Sequence, residues 1–320
     1  GCAMTLDWTY RLRLRHLQML SSLAETGNMS RTAQALSLTQ PALSRWLHEL
    51  EQDIGLPLFE RQARGLRPTA YGEALIAHAR RVQAHLDGAR DDMRVLREGG
   101  SGLLTIGTSA ASATETVPRA VAQLARTVPG AHVRLIESTM NMLMPQLGEG
   151  RLDVVVGRSA PDLMDANMRS ETLYDEDVDL IVRPGHPLLR VRSLTWPRLV
   201  GERWLLWPRG TPIRNALDHA IAEAGVTLPP DSLESNSLTL NMSLLGQTDL
   251  IGQASRRTAR WLHANGLART LPVALSRFGS VSMYWRVDAA DRPVVNAVLA
   301  SLRNSLQNTA PGHAQEKPHG

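Results

Sequence analysis

The stretch TQPALSRWLHELEQDIG, residues 39–55, puts two kinds of side chain on one helix. Leu43, Leu47, Leu50 and Ile54 recur every three or four residues, the spacing of a stripe that packs against protein. Gln40, Ala42, Ser44, Arg45 and His48 lie off that stripe, toward the N-terminal end. Their chemistry is recognition of flat polar edges. Gln matches the N6/N7 edge of adenine, Arg the O6/N7 edge of guanine, and Pro or Ala a thymine methyl. Pro41 is tolerated because first-turn amides have no intrahelical acceptor. Thr39 or Gln40 can cap that end. Ser30 and Arg31, opening the preceding helix, suit phosphate contacts. Arg61, Arg64 and Arg67 on a following wing suit phosphates or a narrow minor groove. A three-helix cap with a polar exterior would share the stripe but needs none of this polar set.

From residue 103 onward no motif for covalent chemistry appears. There is no G-x-S-x-G, H-E-x-x-H, P-loop or G-x-G-x-x-G, and the ten His residues of the whole chain are scattered. Cys2 is the single cysteine, so no intramolecular disulfide, Cys-based zinc cluster or thiol sensor can form within this region. The expectation is no catalytic residue, no metal and no cofactor. The polar candidates instead stand where strands hand over to helices: Ser109 and Ala110, then Ser138 and Thr139, then Gly157 and Arg158. Trp207, Arg209, Thr211 and Arg214 follow in WPRGTPIR, then Asn236, Ser237 and Gln253. Each alone reads as a cap or turn residue. Together, caps from two lobes would converge on one cleft, and free amides, hydroxyls and arginines favour an anionic or polyhydroxy small molecule.

These residues need elements to hold them. Residues 12–55 read as three short helices, and 56–69 as a loop or β-wing with Gly65 at its tip. A long helix follows from Thr69. In it Leu75, Ala79, Val82, Leu86, Ala89, Met93 and Leu96 are spaced alternately four and three apart, the a/d pattern of a two-chain coiled coil. EGGSG at 98–102 breaks it and supplies a joint. Beyond 102 the runs GLLTIGTS, AHVRLIES, LDVVVGRS, DVDLIVRPG, RWLLWPRG, DLIGQAS and VSMYWRV read as strands alternating with helices. That alternation predicts a largely parallel sheet. Residues 139–158 and 237–256 echo one another as helix, turn, Asp, strand and Arg, as two similar lobes would.

The bulk numbers fit this division. A chain of 320 residues holds two or three compact units. Net charge is only +4, yet Arg clusters in the first hundred residues, and Lys317 is the sole lysine. That clustering favours an anionic partner for the N-terminal part. No apolar run approaches the roughly 20 residues of a membrane helix, and the start lacks a signal peptide's apolar segment. The expected setting is cytoplasmic, and the tail from Thr309 is expected to be disordered.

RTAQALSLTQPALSRWLHELEQDIGLPLFERQARGLRPTAYGEAL, residues 31–75, resembles the head of the LysR-type transcriptional regulators. The likeness rests on Ala33 and Ala35, TQPALSR, Leu50-Glu51, G-x-x-LFER and PT-x-x-G, and extends in weaker form over about residues 12–305. Thr32 and Trp46 depart from the family pattern, and Trp46 is expected to pack toward the wing or the phosphate backbone. The resemblance implies a multi-domain chain. An all-α winged helix-turn-helix head (12–69) precedes a linker and dimerisation helix (70–98) and a hinge (99–102). A two-lobed α/β effector domain similar to periplasmic binding proteins follows (103–308), with lobe I at 103–176 and 279–308 and lobe II at 177–278. The implied partners are a palindromic double-stranded DNA site, a small-molecule effector, a second copy through the linker helix, and a homotetramer beyond that. Contact with RNA polymerase is left open, and no membrane is implied. ESNSLTL and WPRGTPIR faintly resemble the subgroup named for a galactose-binding-protein regulator, whose members respond to sugars and aromatic acids. The rival reading is an enzyme or solute-binding protein with a helical dimerisation arm. The head separates the two.

Overall fold

The computed structural model describes residues 7–273, 275 and 279–306. Cys2 and the tail at 309–320 lie outside the described residues. The chain divides into two compact units, Gly1–Asp91 and Asp92–Gly320.

The first unit contains α1 (Trp8–Arg11), α2 (Leu14–Thr26), α3 (Met29–Ala35), α4 (Gln40–Ile54), β1 (Phe59–Gln62), β2 (Gly65–Pro68) and most of α5 (Ala70–Arg97). Caps set the helix starts. Asn28 accepts from the Arg31 amide at 2.9 Å, and the Thr39 hydroxyl accepts from the Ala42 amide at 3.3 Å. Leu43, Leu47 and Leu50 meet Leu20, Leu23 and Ala33 in a shared core, closed by Leu58, Ile76 and Ala79. Thr32 is fully buried, and its hydroxyl reaches back to Thr26 Oγ1 and the Ser22 carbonyl, so its departure from Ala joins α3 to α2. Glu51 explains the Leu-Glu pair. Its Oε1 accepts from the Leu58 and Phe59 amides at 2.8 and 3.1 Å, which fixes the entry to the wing. The PT-x-x-G run closes the other side. Thr69 caps α5, donating to the Pro57 carbonyl at 2.6 Å and accepting from the Gly72 amide at 3.1 Å. A Cβ on Gly72 would fall on the Leu58 carbonyl, so only glycine fits.

The wing of the head is an antiparallel hairpin of β1 and β2. Its turn is Ala63–Arg64, and Gly65 opens β2 instead of forming the tip. Along α5 the apolar stripe divides. Ala79 is buried and Leu75 half-buried in the head core, while Val82, Leu86, Met93 and Leu96 stay 43–60% exposed.

In the second unit the chain forms β3 (Leu103–Thr108), α6 (Ala110–Ala113), α7 (Thr116–Thr127), β4 (His132–Glu137), α8 (Met140–Gly148), β5 (Val154–Arg158) and β6 (Met168–Asp175). It then crosses to β7 (Val178–Val182), α9 (Trp196–Leu199), β8 (Leu205–Leu206), α10 (Pro212–Ala224), β9 (Leu233–Glu234), α11 (Leu238–Gln247), β10 (Gly252–Ser255), α12 (Arg256–Ala264) and β11 (Arg269–Thr270). It returns through β12 (Ser280–Arg286) and α13 (Pro293–Asn304). The first lobe holds a five-stranded sheet in the order β4-β3-β5-β12-β6, and the second a three-stranded sheet β10-β7-β11 beside the pair β8-β9.

Each large sheet is covered on both faces, which is why the strands read as near-continuous apolar runs. In β5, Val154 and Val156 face α7 and α13, while Val155 faces α8. In β7, Val178, Leu180 and Val182 pack with Leu217 of α10, while Ile181 packs with α11 and α12. The five-stranded sheet is mixed and the three-stranded sheet antiparallel, so neither is largely parallel. β3 runs parallel to β4 and β5, but β12 is antiparallel to both β5 and β6, and β7 is antiparallel to both its neighbours. The cause is topological: β12 enters the first lobe on the return from the second, against the direction of β5.

Candidate DNA-reading face and effector cavity

On α4 each residue advances about 100°. Pro41, Ser44, Arg45 and His48 therefore share one side, away from the buried Leu43, Leu47 and Leu50. Gln40, Pro41, Ala42, Arg45 and His48 are exposed and Ser44 is half-buried. Ser30, Arg31, Thr39, Arg61, Arg64 and Arg67 are exposed as well. Trp46 does not turn toward the wing or outward. It is half-buried on the flank facing α2, with its ring 5.1 Å from that of His16. Burial, then the charges of Arg15 and Arg13, pull the His16 pKa down, and neutral His16 Nδ1 accepts from the Arg13 amide at 3.0 Å.

In the second unit, strand ends and helix starts from both lobes meet at one cavity of about 330 Å³, open mouth included. From the first lobe come Ser109 and Ala110 after β3, Ser138 and Thr139 before α8, and Arg158 at the end of β5. From the second come Trp207 after β8 and Thr211, the N-cap of α10. Met140, Pro212 and Ile213 supply apolar wall. Neither Thr139 nor Thr211 uses its side chain to cap its helix. The first amides of α8 and α10 have no intrahelical acceptor, so both helices present donors and a positive dipole end to this space. Ser109 Oγ is buried without a partner among the described residues, while Thr211 Oγ1 donates to the Pro208 carbonyl at 2.7 Å.

Among the described residues, bonds from three side chains join the lobes around the cavity. Asn141 Nδ2 donates to the Gly210 carbonyl at 3.2 Å, Thr258 Oγ1 to the Ala110 carbonyl at 3.1 Å, and Arg158 Nη1 to Ser255 Oγ at 3.0 Å. Burial lowers the pKa of Arg158, opposed by the charges of Glu176 and Asp177. Burial also pushes Glu176 up to about 6, against the Arg257 amide and the cations Arg158, Arg257 and Arg260. Arg257 lies 3.7 Å over the ring of Tyr174 on the same side.

A family model described as the LysR substrate binding domain matches residues 97–307. Another, described as a bacterial regulatory helix-turn-helix protein of the lysR family, matches residues 14–73. The chain belongs to the LysR family of transcriptional regulators. As a LysR-family protein it is a DNA-binding regulator with an effector-binding domain, not an enzyme. It is 33% identical over 312 residues to the HTH-type transcriptional regulator GbpR of Azospirillum brasilense, covering 96% of this chain and 90% of that one. It is 30% identical over 302 residues to GalR of Pseudomonas putida, covering 94% and 76%. Among solved structures, CbnR, a LysR family transcriptional regulator, superposes with a TM-score of 0.62 at 20% identity, covering 92% of this chain and 99% of that one. Full-length CbnR complexed with its target DNA gives the same score and identity. At that identity the likeness shows the fold. Among the described residues, no helix is long and apolar enough to cross a membrane.

Not every expected effector residue of this LysR-family chain lines the cavity. Arg214 is buried but folds back, with Nη1 on the Trp207 carbonyl at 2.9 Å and Nε on Asp218 at 2.8 Å. Ser237 caps α11, accepting from the Leu240 amide at 3.3 Å. Gln253 sits behind Trp207 in a separate small chamber with Asn241, where Gln253 Oε1 and Asn241 Oδ1 both lack a partner among the described residues. Arg209 is exposed. Sequence reasoning missed the apolar wall and the clasp of Asn141, Thr258 and Ser255. The wall residues carried a signal, since Met140, Pro212 and Ile213 directly follow the two N-caps.

Proposed function

We propose that the head binds a dyad-symmetric DNA site and that a small anionic effector held between the two lobes sets how it binds. Gln40, Ala42, Ser44, Arg45 and His48 read base edges, Ser30, Arg31 and Thr39 hold phosphates, and Arg61, Arg64 and Arg67 follow the backbone beside the wing. The exposed side of α5, with Val82, Leu86, Met93 and Leu96, supports pairing with a second copy. Two such pairs make the working tetramer, the promoter complex contacts RNA polymerase, and the setting is the cytoplasm. The division into head (12–69), linker helix (70–98), hinge (99–102) and effector domain (103–308) belongs to the same reading.

The observation that carries the effector half is the meeting of Ser109, Thr139, Arg158 and Thr211 at one cavity. A carboxylate there would accept from two helix starts, the orphaned Ser109 hydroxyl and a buried guanidinium. Calorimetry of the full chain with sodium benzoate and sodium gluconate tests it. Saturable binding that weakens in Ser109→Ala supports the reading, and the absence of binding by either acid contradicts it. A gel shift with the intergenic DNA beside its own gene tests the other half.

A further inference from the structure

Arg158 ends β5 in the first lobe, and only 3% of it is exposed. Besides reaching Ser255 Oγ in the second lobe, it donates from Nη2 to the Glu176 carbonyl at 3.0 Å. Glu176 lies on the outgoing crossover, between β6 and β7. The return crossover presses on the same guanidinium. A Cβ on Gly279 would fall on Arg158 Nη2, and Gly279 holds a φ of +154°, a conformation that favours glycine. The two crossovers are themselves joined, the Glu176 amide donating to the Gly279 carbonyl at 3.0 Å. One cation therefore touches both chain crossings and the opposite lobe, and it also lines the effector cavity.

We propose that Arg158 is the latch of the interlobe hinge, and that an anion in the cavity moves the hinge by drawing Arg158 donors away from Ser255 Oγ and the Glu176 carbonyl. The proposal rests on the reading of the cavity as the effector site. A guanidinium offers five N–H donors in one rigid plane, so a new partner at one edge reorients the donors at the others. Ser255 Oγ and the Glu176 carbonyl are neutral oxygens. A carboxylate makes charge-assisted bonds roughly twice as strong, so it competes for the same donors. Each lobe moves as a packed unit, and the crossovers are the segments able to absorb the change.

Hydrogen–deuterium exchange on the full-length protein tests the latch, read in the segment around Glu176, whose amide bonds across both crossovers. Without ligand, Arg158→Lys keeps the charge but loses the plane. It should speed exchange of that segment about fivefold or more, the lower end of coupling between linked sites, while α13 stays protected. Should α13 lose protection as well, Ser255→Ala, which leaves the cation in place, carries the same expectation. Ser232→Ala, in a second-lobe loop, serves as control and should leave the segment unchanged. With sodium benzoate or sodium gluconate, whichever protects residues 139–143, the wild-type segment should open by a similar factor, and Ser255→Ala should respond less. A segment that stays unchanged in both variants, or that ignores an acid protecting the cavity, overturns the latch. If neither acid protects the cavity, the effector reading falls by itself, and the ligand-free variants still decide whether Arg158 holds the hinge.

Discussion

Leu86→Asp tests whether α5 is a pairing surface. Leu86 is 45% exposed on the single chain, midway along a stripe whose neighbours Val82 and Met93 are 43% and 60% exposed. Fully burying a leucine is worth about 1.5–3 kcal/mol, so removing the remaining exposed half contributes about 1 kcal/mol per chain, or about 2 kcal/mol per dimer. Aspartate loses that contribution. It also places two carboxylates at facing positions of the seam, which costs several kcal/mol in desolvation and repulsion. A total loss of about 4 kcal/mol or more weakens the dimer about a thousandfold. Asp87 lies one position away, off the seam and on the water-facing side, with 64% of its side chain exposed. Asp87→Ala should shift dimerisation by no more than about threefold, the effect of a surface pair. Sedimentation velocity over a concentration series reads both variants. If Leu86→Asp keeps the wild-type mass at every concentration, the exposed stripe serves some other contact.

Arg45→Ala should cost about 1–3 kcal/mol at the operator and relax preference at one base pair, whereas Arg64→Ala should weaken all sequences alike and flatten the salt dependence; competition gel shifts over a salt series separate them. Thr211→Val keeps the shape but loses the bond to the Pro208 carbonyl, so calorimetric unfolding should show a loss of about 0.5–1.5 kcal/mol. Weaker acid binding beyond that would place the hydroxyl in the effector site, and unchanged acid affinity would remove it. Glu176 gives a pH signature. Its folded pKa of about 6 lies above its ordinary value of 4.5, so its contribution is fully present below 4.5 and is lost as pH rises through 6. Between pH 4 and pH 7 the wild type should therefore lose about 2 kcal/mol relative to Glu176→Gln, measured by urea unfolding, and parallel pH profiles would refute the assignment.

The parts of this fold that were legible in the sequence are those written in local periodicity. The stripe of α4, the heptads of α5 and the apolar strand runs are each set by neighbours a few residues away. β6 was missed because MRSETLYD lies at a sheet edge and carries four polar residues in a row, so it shows neither an apolar run nor a clean alternation. The direction of β12 was illegible for a different reason. Its residues pack as they would in a parallel strand, and only the path through the second lobe reverses it. The site shows the same division. Its position, at strand ends and N-caps, follows from local pattern. Side-chain direction does not: Arg214, three residues after an N-cap, turns inward to brace the Trp207 carbonyl. The clasp residues Thr258 and Ser255 meet partners 148 and 97 positions away, a distance over which sequence pattern carries no register. Trp46 illustrates the limit on the head, since its partner His16 belongs to another helix.

Occupancy of the interlobe cavity should change how the head holds DNA. DNase I footprinting of the full-length protein on the intergenic DNA beside its gene, with and without an acid that calorimetry shows to bind, measures this. The protected region should be dyad-symmetric, its length or hypersensitive positions should change when the acid is added, and Arg158→Lys should show no such change. A footprint identical with and without bound acid would contradict it.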